Sequence, residues 1–269
     1  MLRILVVSAF PEERHEIDAL FPDAEEHLVA EIDQKNILKS EYNGMQIYFS
    51  YLGVGASLAA ANTAKLCSQV NPDLIIFCGV AGGVQSVSQK HGDVLVATAL
   101  HHKDFDHFPS IFVEETPYHQ CVFDPHTTKA NKYQFEIDPD LLYCLQKLHP
   151  AHLFGAIATS NFFPAPPGKY PEVLKSCVAV EMEGAAVVEA ATCPVIILRS
   201  LSNLLDHEGS NLGEPAGIIL ECSKNLASVL KTLLDSPELP SALKLAQIRF
   251  LKQFLNLESH PESGSEIHL

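Results

Sequence analysis

The stretch LIIFC, Leu74 to Cys78, decides the fold of this chain. Five apolar residues in succession, followed at once by glycines, are typical of a strand that is buried on both faces. The stretch VIIL at residues 195–198 has the same character. Strands of this kind are found in sheets that helices cover on both sides.

Further strand candidates alternate with helical patterns on either side of this stretch. The strand candidates are RILVVSA at 3–9, QIYFSYLGVG at 46–55, GDVLVATAL at 92–100 and FGAIATS at 154–160. The helical patterns are the alanine-rich ASLAAANTAKLCSQV at 56–70 and GIILECSKNLASVLKTLL at 217–234. This alternation predicts an α/β layer fold.

Two regions depart from the alternation. Residues 101–138 mix polar and aromatic side chains with prolines, which indicates a long excursion from the layered core. Residues 241–255, SALKLAQIRFLKQFL, have the pattern of an amphipathic helix, and residues 258–269 form a polar tail. For a chain of 269 residues we expect one main domain over 1–234 and a C-terminal helical extension with its tail over 235–269.

The composition excludes several classes of function. The formal net charge of −15 argues against a nucleic-acid partner, which requires a basic surface. No apolar run approaches the roughly 18 residues of a membrane span, and the apolar run at the start is too short for a signal peptide. The 7 cysteines include no CxxC pair, which indicates reduced thiols in a cytoplasmic protein without a metal site.

Two glycine-containing segments follow strand candidates. LGVGASLAAA at 52–61 has only part of a dinucleotide-binding pattern, because position 58 is leucine where a third glycine is required. The segment predicts a tight turn from strand to helix. In a second interpretation, the backbone N–H groups of this turn approach an anion or a hydroxyl. In CGVAGGV at 78–84, glycines such as Gly82 would let the backbone approach a ligand, and a plain loop is the alternative.

Two carboxylates, Glu181 and Glu183, stand in the apolar segment AVEMEGAAVVEA at 179–190. Acidic residues at a solvated helix start would be explained by the helix dipole alone. The apolar residues on both sides indicate burial instead, and a buried carboxylate requires a partner. A sugar with vicinal hydroxyls would be a suitable one.

At this point the chain resembles a known family. VAVEMEGAAVVEAA is similar to the signature of the methylthioadenosine/S-adenosylhomocysteine nucleosidases, within the purine nucleoside phosphorylase superfamily. Five further motifs match in order between residues 3 and 206: ILVVSAFPEE, GVGASLAAA, CGVAGGVQ with HGDVLVA, ATSNFF and VIILRSLSNLLD. HHKDFD, at residues 101–106, resembles the family's loop after the strand that contains HGDVLVA. The resemblance implies a single α/β domain with a central, twisted, mixed sheet flanked by helices, with 1–234 as the nucleosidase domain.

The resemblance also implies roles at the sugar. Glu183 matches the glutamate that binds the ribose hydroxyls, with Glu181 beside it, and Met182 matches the methionine packed on the sugar. Glu13 matches the acid that orients and deprotonates the attacking water, and Arg199 matches an arginine near that water. Cleavage of an N-ribosidic bond builds positive charge on the ribose, which a carboxylate stabilises.

At the purine the chain departs from the family. Phe163, next to Phe162 in ATSNFF, matches the aromatic that stacks on the base, but Pro164 lacks the N–H used there to read the purine edge. Asn203 stands where the family has an aspartate against N7, and Asn161 stands where the family commonly has aspartate. In addition, Val80 replaces a serine near the water.

These departures leave several interpretations open. The chain could belong to the futalosine-hydrolase branch, be an adenosine-type enzyme that tolerates Asn203, or carry an inactivating asparagine. A phosphorylase, for which Arg199 is the evident cation, and an inactive nucleoside-binding protein are further alternatives. We expect a cytoplasmic nucleoside hydrolase without metal or cofactor, a homodimer by resemblance, acting on 6-amino-6-deoxyfutalosine or futalosine in menaquinone synthesis. Methylthioadenosine or S-adenosylhomocysteine is the second choice of substrate.

Overall fold

The computed structural model describes residues 1–32, 35–84, 88–102, 121–123, 130–132, 134–161, 177–205 and 211–254. Within these ranges the strands are β1 (Arg3–Ser8), β2 (Glu25–Ile32), β3 (Lys35–Tyr42), β4 (Met45–Tyr51), β5 (Leu74–Val84), β6 (Val94–His102), β7 (Cys121–Phe123), β8 (Ala130–Lys132), β9 (Gln134–Glu136), β10 (Leu153–Thr159), β11 (Cys177–Glu181) and β12 (Val195–Leu205). The helices are α1 (Pro11–Asp18), α2 (Ala56–Val70), α3 (Pro139–Leu148), α4 (Gly184–Ala190), α5 (Ile218–Asp235) and α6 (Leu239–Phe254).

One large mixed sheet organises the domain. Its strand order is β11-β10-β6-β12-β5-β1-β4-β3-β2, and β9 pairs with β6. Strand β5 lies between β1 and β12 and is parallel to both. The predicted α/β fold with a mixed sheet flanked by helices is confirmed.

The sheet also closes on itself at one end. Strand β11 pairs in parallel with β10 and antiparallel with the far end of β5, where Val180 lies opposite Gly82. Gly82 lies opposite Asn203 of β12 as well. The glycines of CGVAGGV therefore continue strand β5 and do not form a turn or a loop after it. The reason is that β11 and β12 pair with this end of β5 on its two sides.

Successive residues of the central strands pack into two different cores. Ile4, Val6 and Ile76 point to the face covered by α1, α3, α5 and α6. Leu5 and Ile75 point to the opposite face, which α2 and α4 cover. Burial on both faces is the physical reason for the continuous apolar runs of the sequence.

Helix α6 contributes to the first of these cores. Leu239, Leu243 and Ala246 are buried in it, and Arg249 pairs with Asp138 through Nε to Oδ2 at 2.7 Å. Asp138 also caps α3, so this ion pair joins the two helices. The division of the chain at residue 235 stays a prediction, and the polar tail lies outside the described residues, as does most of the 101–138 excursion.

Cys67, Cys78, Cys144, Cys177, Cys193 and Cys222 are buried and form no disulfide bond with one another. None of the described helices has the length and apolar character needed to cross a membrane.

Candidate active site

Four charged side chains meet where the sheet closes. Glu13 comes from α1, which follows β1; Glu181 ends β11; Glu183 precedes α4; and Arg199 lies within β12. Each is at most 5% exposed. Three carboxylates are thus buried around one guanidinium, although they lie far apart in the sequence.

Arg199 occupies the centre of this group. It is wholly buried, its Nη2 donates to Glu181 Oε2, and Nη2 lies 3.7 Å from Glu183 Oε2. Its guanidinium carbon is 3.9 Å from the centre of the Phe77 ring, a cation–π arrangement. Burial acts to lower the pKa of Arg199, but the surrounding carboxylates outweigh it and the pKa is raised. Arg199 therefore remains a cation.

Glu181 is bound almost entirely within the chain. Its Oε2 accepts from the backbone N–H of Glu183 at 3.0 Å and of Gly184 at 2.7 Å, and from Arg199. Its Oε1 accepts from the hydroxyl of Thr159. This geometry favours a positioning role for Glu181 rather than the predicted contact with a substrate.

Glu183 is held differently from Glu181. Its Oε1 accepts from the backbone N–H of Gly55 at 2.8 Å, and among the described residues its Oε2 has only the longer contact with Arg199. Burial, together with the charge of Glu181, raises the pKa of Glu183 to about 7. One face of this carboxylate is therefore available to a ligand that donates hydrogen bonds.

The glycine turn before α2 makes the contact with Glu183 feasible. Gly55 has φ of +93°, a conformation that side chains rarely adopt. The segment LGVG is thus the predicted tight turn, and the anion that its N–H approaches is a carboxylate of the chain itself.

Glu13 is oriented by backbone donors from two segments. Its Oε2 accepts from the N–H of Ala9 at 2.8 Å, and its Oε1 accepts from the N–H of Val80 at 2.8 Å. Burial raises the pKa of Glu13, which Arg199 and these N–H groups partly offset. Val80, predicted to lie near the water, contributes its backbone here.

Gly79 was not predicted as a site residue, but the structure requires it to be small. A Cβ at this position would lie 2.0 Å from Arg199 Nη1 and 2.8 Å from Glu13 Oε1. Its absence lets the guanidinium and the carboxylate approach β5. Its position directly after the buried strand LIIFC was the sequence feature that could have identified Gly79 as a site residue. Thr159, which binds Glu181, gave no comparable signal.

The described residues at the predicted purine end include two amides. Asn203 is 4% exposed; its Oδ1 accepts from the Ser202 hydroxyl at 3.2 Å, and its Nδ2 lies 3.4 Å from Asn211 Oδ1. Asn161 is exposed, and its Oδ1 accepts from the N–H of Ala56 at 3.1 Å. Within the described residues, no carboxylate hydrogen-bonds to Asn203.

The remaining predicted residues are only partly placed. Met182 is half-buried between the two glutamates, and Gly82 is buried within β5. Phe162, Phe163 and Pro164 lie outside the described residues, so base stacking stays a prediction.

Comparison with known proteins places the chain in a family. Residues 3–235 match the sequence family described as the phosphorylase superfamily. The 5′-methylthioadenosine/S-adenosylhomocysteine nucleosidase of Bacillus velezensis is 27% identical over 213 residues, covering 77% of this chain and 88% of that protein. The enzyme of the same name from Hydrogenovibrio crunogenus is 30% identical over 179 residues, covering 63% and 73%.

Solved structures show the same fold. A mutant of the Helicobacter pylori methylthioadenosine nucleosidase, with 5′-methylthioadenosine in its active site, superimposes with a TM-score of 0.71 at 26% identity, covering 87% of this chain and 99% of that chain. Futalosine hydrolase of H. pylori has a TM-score of 0.70 at 22% identity, covering 87% and 97%, and shows the fold alone. The resemblance seen in the sequence motifs is confirmed: this chain belongs to the phosphorylase superfamily, with nucleosidases as its relatives.

Proposed function

We propose that the chain hydrolyses the N-ribosidic bond of a purine nucleoside with a modified 5′ position. The relatives named as nucleosidases support the class of reaction. The observation that carries the proposal is the pair of buried carboxylates, Glu13 and Glu183, that lie near Arg199 at one end of the sheet. No other described group of residues combines buried, oriented carboxylates in this way.

Glu183 would bind the ribose hydroxyls and stabilise the cationic sugar. In the ligand-free site its ionised form is disfavoured, as the raised pKa shows. A sugar that gains positive charge in the transition state relieves this cost, so the carboxylate interacts more strongly with the transition state than with the substrate. Met182 would pack against the same sugar.

Glu13 would hold the attacking water and accept its proton. The N–H groups of Ala9 and Val80 fix the orientation of its carboxylate. Its raised pKa makes it a stronger base than a solvated glutamate, which suits general base catalysis near neutral pH. Arg199 would partly balance the charges of Glu13 and Glu183.

Asn203 would assist the departure of the purine by hydrogen bonding. An amide can donate to N7, or accept from a protonated N7, but it cannot deliver a proton. An amide of this kind suits a 6-oxopurine, such as the base of futalosine. Futalosine or 6-amino-6-deoxyfutalosine, in menaquinone synthesis, is our favoured substrate. Methylthioadenosine and S-adenosylhomocysteine are the alternative, supported by the names of the relatives.

Phosphorolysis is less well supported than hydrolysis. A phosphorylase needs a cation that is free to bind phosphate, and Arg199 was the candidate. Its guanidinium instead donates to Glu181 and lies next to Glu183 and Glu13. A phosphate dianion at this position would face three carboxylates.

An inactive nucleoside-binding protein is a second candidate. The observation that favours it is the buried Asn203, to which no carboxylate within the described residues hydrogen-bonds. Such a protein would bind the nucleoside through Glu183 and leave it intact.

Release of free base from a panel of 5′-modified purine nucleosides, with and without phosphate, tests the proposal. We expect release that does not depend on phosphate and that yields free ribose derivative. Release only with phosphate would indicate a phosphorylase, and binding without release would indicate the inactive protein. The cytoplasmic location and the homodimer belong to the same proposal, on the strength of the resemblance alone.

A further inference from the structure

The amide of Asn203, buried at the predicted purine end, has two ends of similar shape and opposite chemistry. Its carbonyl oxygen accepts hydrogen bonds, and its NH₂ group donates them. The oxygen cannot bind an unprotonated N7 of a purine, and the NH₂ group cannot bind an N7 that carries a hydrogen. The direction in which this amide points therefore decides which form of the purine it can bind.

The neighbouring Ser202 does not set this direction. Its hydroxyl lies 3.2 Å from Oδ1 of Asn203, and the residue is 4% exposed. A hydroxyl can donate to an oxygen or accept from an N–H, because its hydrogen rotates. If the amide turned over, Ser202 would accept from Nδ2 in place of donating to Oδ1. This contact holds the amide but suits both orientations.

The contact with Asn211 suits only one orientation. The backbone N–H of Gly213 donates to Asn211 Oδ1 at 2.9 Å, so the atom at that position must be the oxygen. Asn203 Nδ2 lies 3.4 Å from the same oxygen. An inverted Asn203 would bring two carbonyl oxygens together with no hydrogen between them. The orientation of the buried amide thus follows from a backbone donor.

Asn211 reaches this position because the chain returns to the end of β12. The N–H of Leu212 donates to the carbonyl of Leu204 at 2.9 Å, and Asn211 forms an isolated antiparallel bridge with Leu205. These backbone contacts bring the exposed Asn211 beside the buried Asn203, which precedes it by 8 residues. The position of Asn211 is therefore set by the sheet itself.

We infer that Asn211 is a positioning residue that makes Asn203 a hydrogen-bond donor to the purine. Oδ1 of Asn203 lies against the buried Ser202, whereas Nδ2 lies on the side of the exposed Asn211, from which a ligand can approach. The second hydrogen of Nδ2 then binds an unprotonated N7 and stabilises the negative charge of the departing purine. The inference rests on the proposed function, because it uses the same site.

The first test uses the unaltered protein and two adenine nucleoside analogues of nearly the same shape. The 7-deaza analogue has a C–H at position 7, and the 9-deaza analogue has an N–H there. Each is prepared with the 5′ group of 6-amino-6-deoxyfutalosine and with that of methylthioadenosine. We expect the 9-deaza analogue to bind about 5–50-fold more weakly in titration calorimetry, because two donors meet without an acceptor. Equal affinities, or tighter binding of the 9-deaza analogue, would overturn the inference.

Variants then assign the preference to Asn211. Asn211→Ala removes the oxygen that fixes the amide, so Asn203 can turn over and offer Oδ1 to an N–H. The 9-deaza analogue should then bind about 3–10-fold more tightly than it binds to the parent, a gain that damage to the structure would not produce. No gain in affinity would contradict the inference.

Two matched variants serve as controls. Asn211→Asp retains an acceptor for both N–H groups and should keep the parental preference for the 7-deaza analogue. Ser202→Ala should keep it as well, because Asn211 still sets the orientation of the amide. Loss of the preference in Ser202→Ala alone would assign the orientation to Ser202 and overturn the role of Asn211.

These measurements separate the inference from the proposed function, because binding does not require hydrolysis. A preference for the 7-deaza analogue, without release of base from any nucleoside, would support the orientation of Asn203 and overturn the proposed hydrolysis. Release of base together with equal affinities would support hydrolysis and overturn the inference. If no analogue binds, the purine site is wrong and both proposals fall.

Discussion

The two ends of the candidate site use different chemistry for the two charges that a nucleosidase must stabilise. The ribose end, formed by Glu13, Glu181, Glu183 and Arg199, is a buried set of charges. The purine end, formed by Asn161 and Asn203, offers neutral amides. Under the proposed function, these described residues would stabilise the positive charge of the sugar strongly and the negative charge of the leaving purine weakly. Departure of the purine would then limit the range of substrates.

Loss of Glu13, the proposed general base at the ribose end, should have the largest effect. Glu13→Gln should lower kcat by about 10²–10⁴-fold, because the amide cannot accept a proton from water. Nucleoside binding, measured by calorimetry, should remain close to that of the parent. Weak binding with an unchanged rate at saturation would contradict the role.

An acid added at the purine end should remove the asymmetry. Asn203→Asp would place a carboxyl group in a buried position, where burial favours the protonated form that can supply a proton to N7. Hydrolysis of a 6-aminopurine nucleoside should then rise by about 10²–10⁴-fold, measured as free adenine. Asn161→Asp is the companion variant. If neither variant changes the rate, the chain uses another acid and our view of the purine end is wrong.

Glu183→Gln tests the other carboxylate of the ribose end. It should lower turnover by about 10²–10³-fold, because a neutral amide no longer stabilises the cationic sugar. Glu189→Gln is the matched control: Glu189 lies on the exposed side of the same short helix, and its replacement should leave turnover unchanged. Near-parental turnover of Glu183→Gln, with circular dichroism showing an intact fold, would remove Glu183 from the site.

The charges of the ribose end should also appear in the stability of the ligand-free protein. Burial raises the pKa of Glu183 from 4.5 to about 7, so between these values the folded state holds a proton that the unfolded chain releases. The contribution of Glu183 to the free energy of unfolding should therefore fall as the pH rises through this window, by up to about 3 kcal/mol. The raised pKa of Glu13 acts in the same direction.

Urea denaturation at pH 5 and pH 7.5 measures this slope. The slope should be more negative in the parent protein than in Glu183→Gln. The amides Asn161 and Asn203 do not titrate and contribute nothing to it. Burial lowers the pKa values of His101, His149 and His152, which makes stability rise over the same interval, so only the difference between parent and variant reports on Glu183. Equal slopes would show that Glu183 is already ionised in the folded protein.

The sequence by itself determined the layered fold. Apolar runs such as LIIFC cannot face water on either side, and their alternation with helical patterns leaves few arrangements other than an α/β sheet. It also indicated that Glu181 and Glu183 are buried, because apolar residues surround them. The domain division and the stacking role of Phe163 remain predictions.

Only the tertiary structure decided what each of these groups does. Glu181 and Glu183 stand two residues apart in one motif, yet Thr159 and Arg199 bind the first, while Gly55 leaves one face of the second available. Those partners come from β10, from β12 and from the turn before α2, which are all distant from this motif in the sequence. A sequence shows which charges will be buried, but their hydrogen-bond partners, and thus their chemistry, depend on contacts that only folding creates.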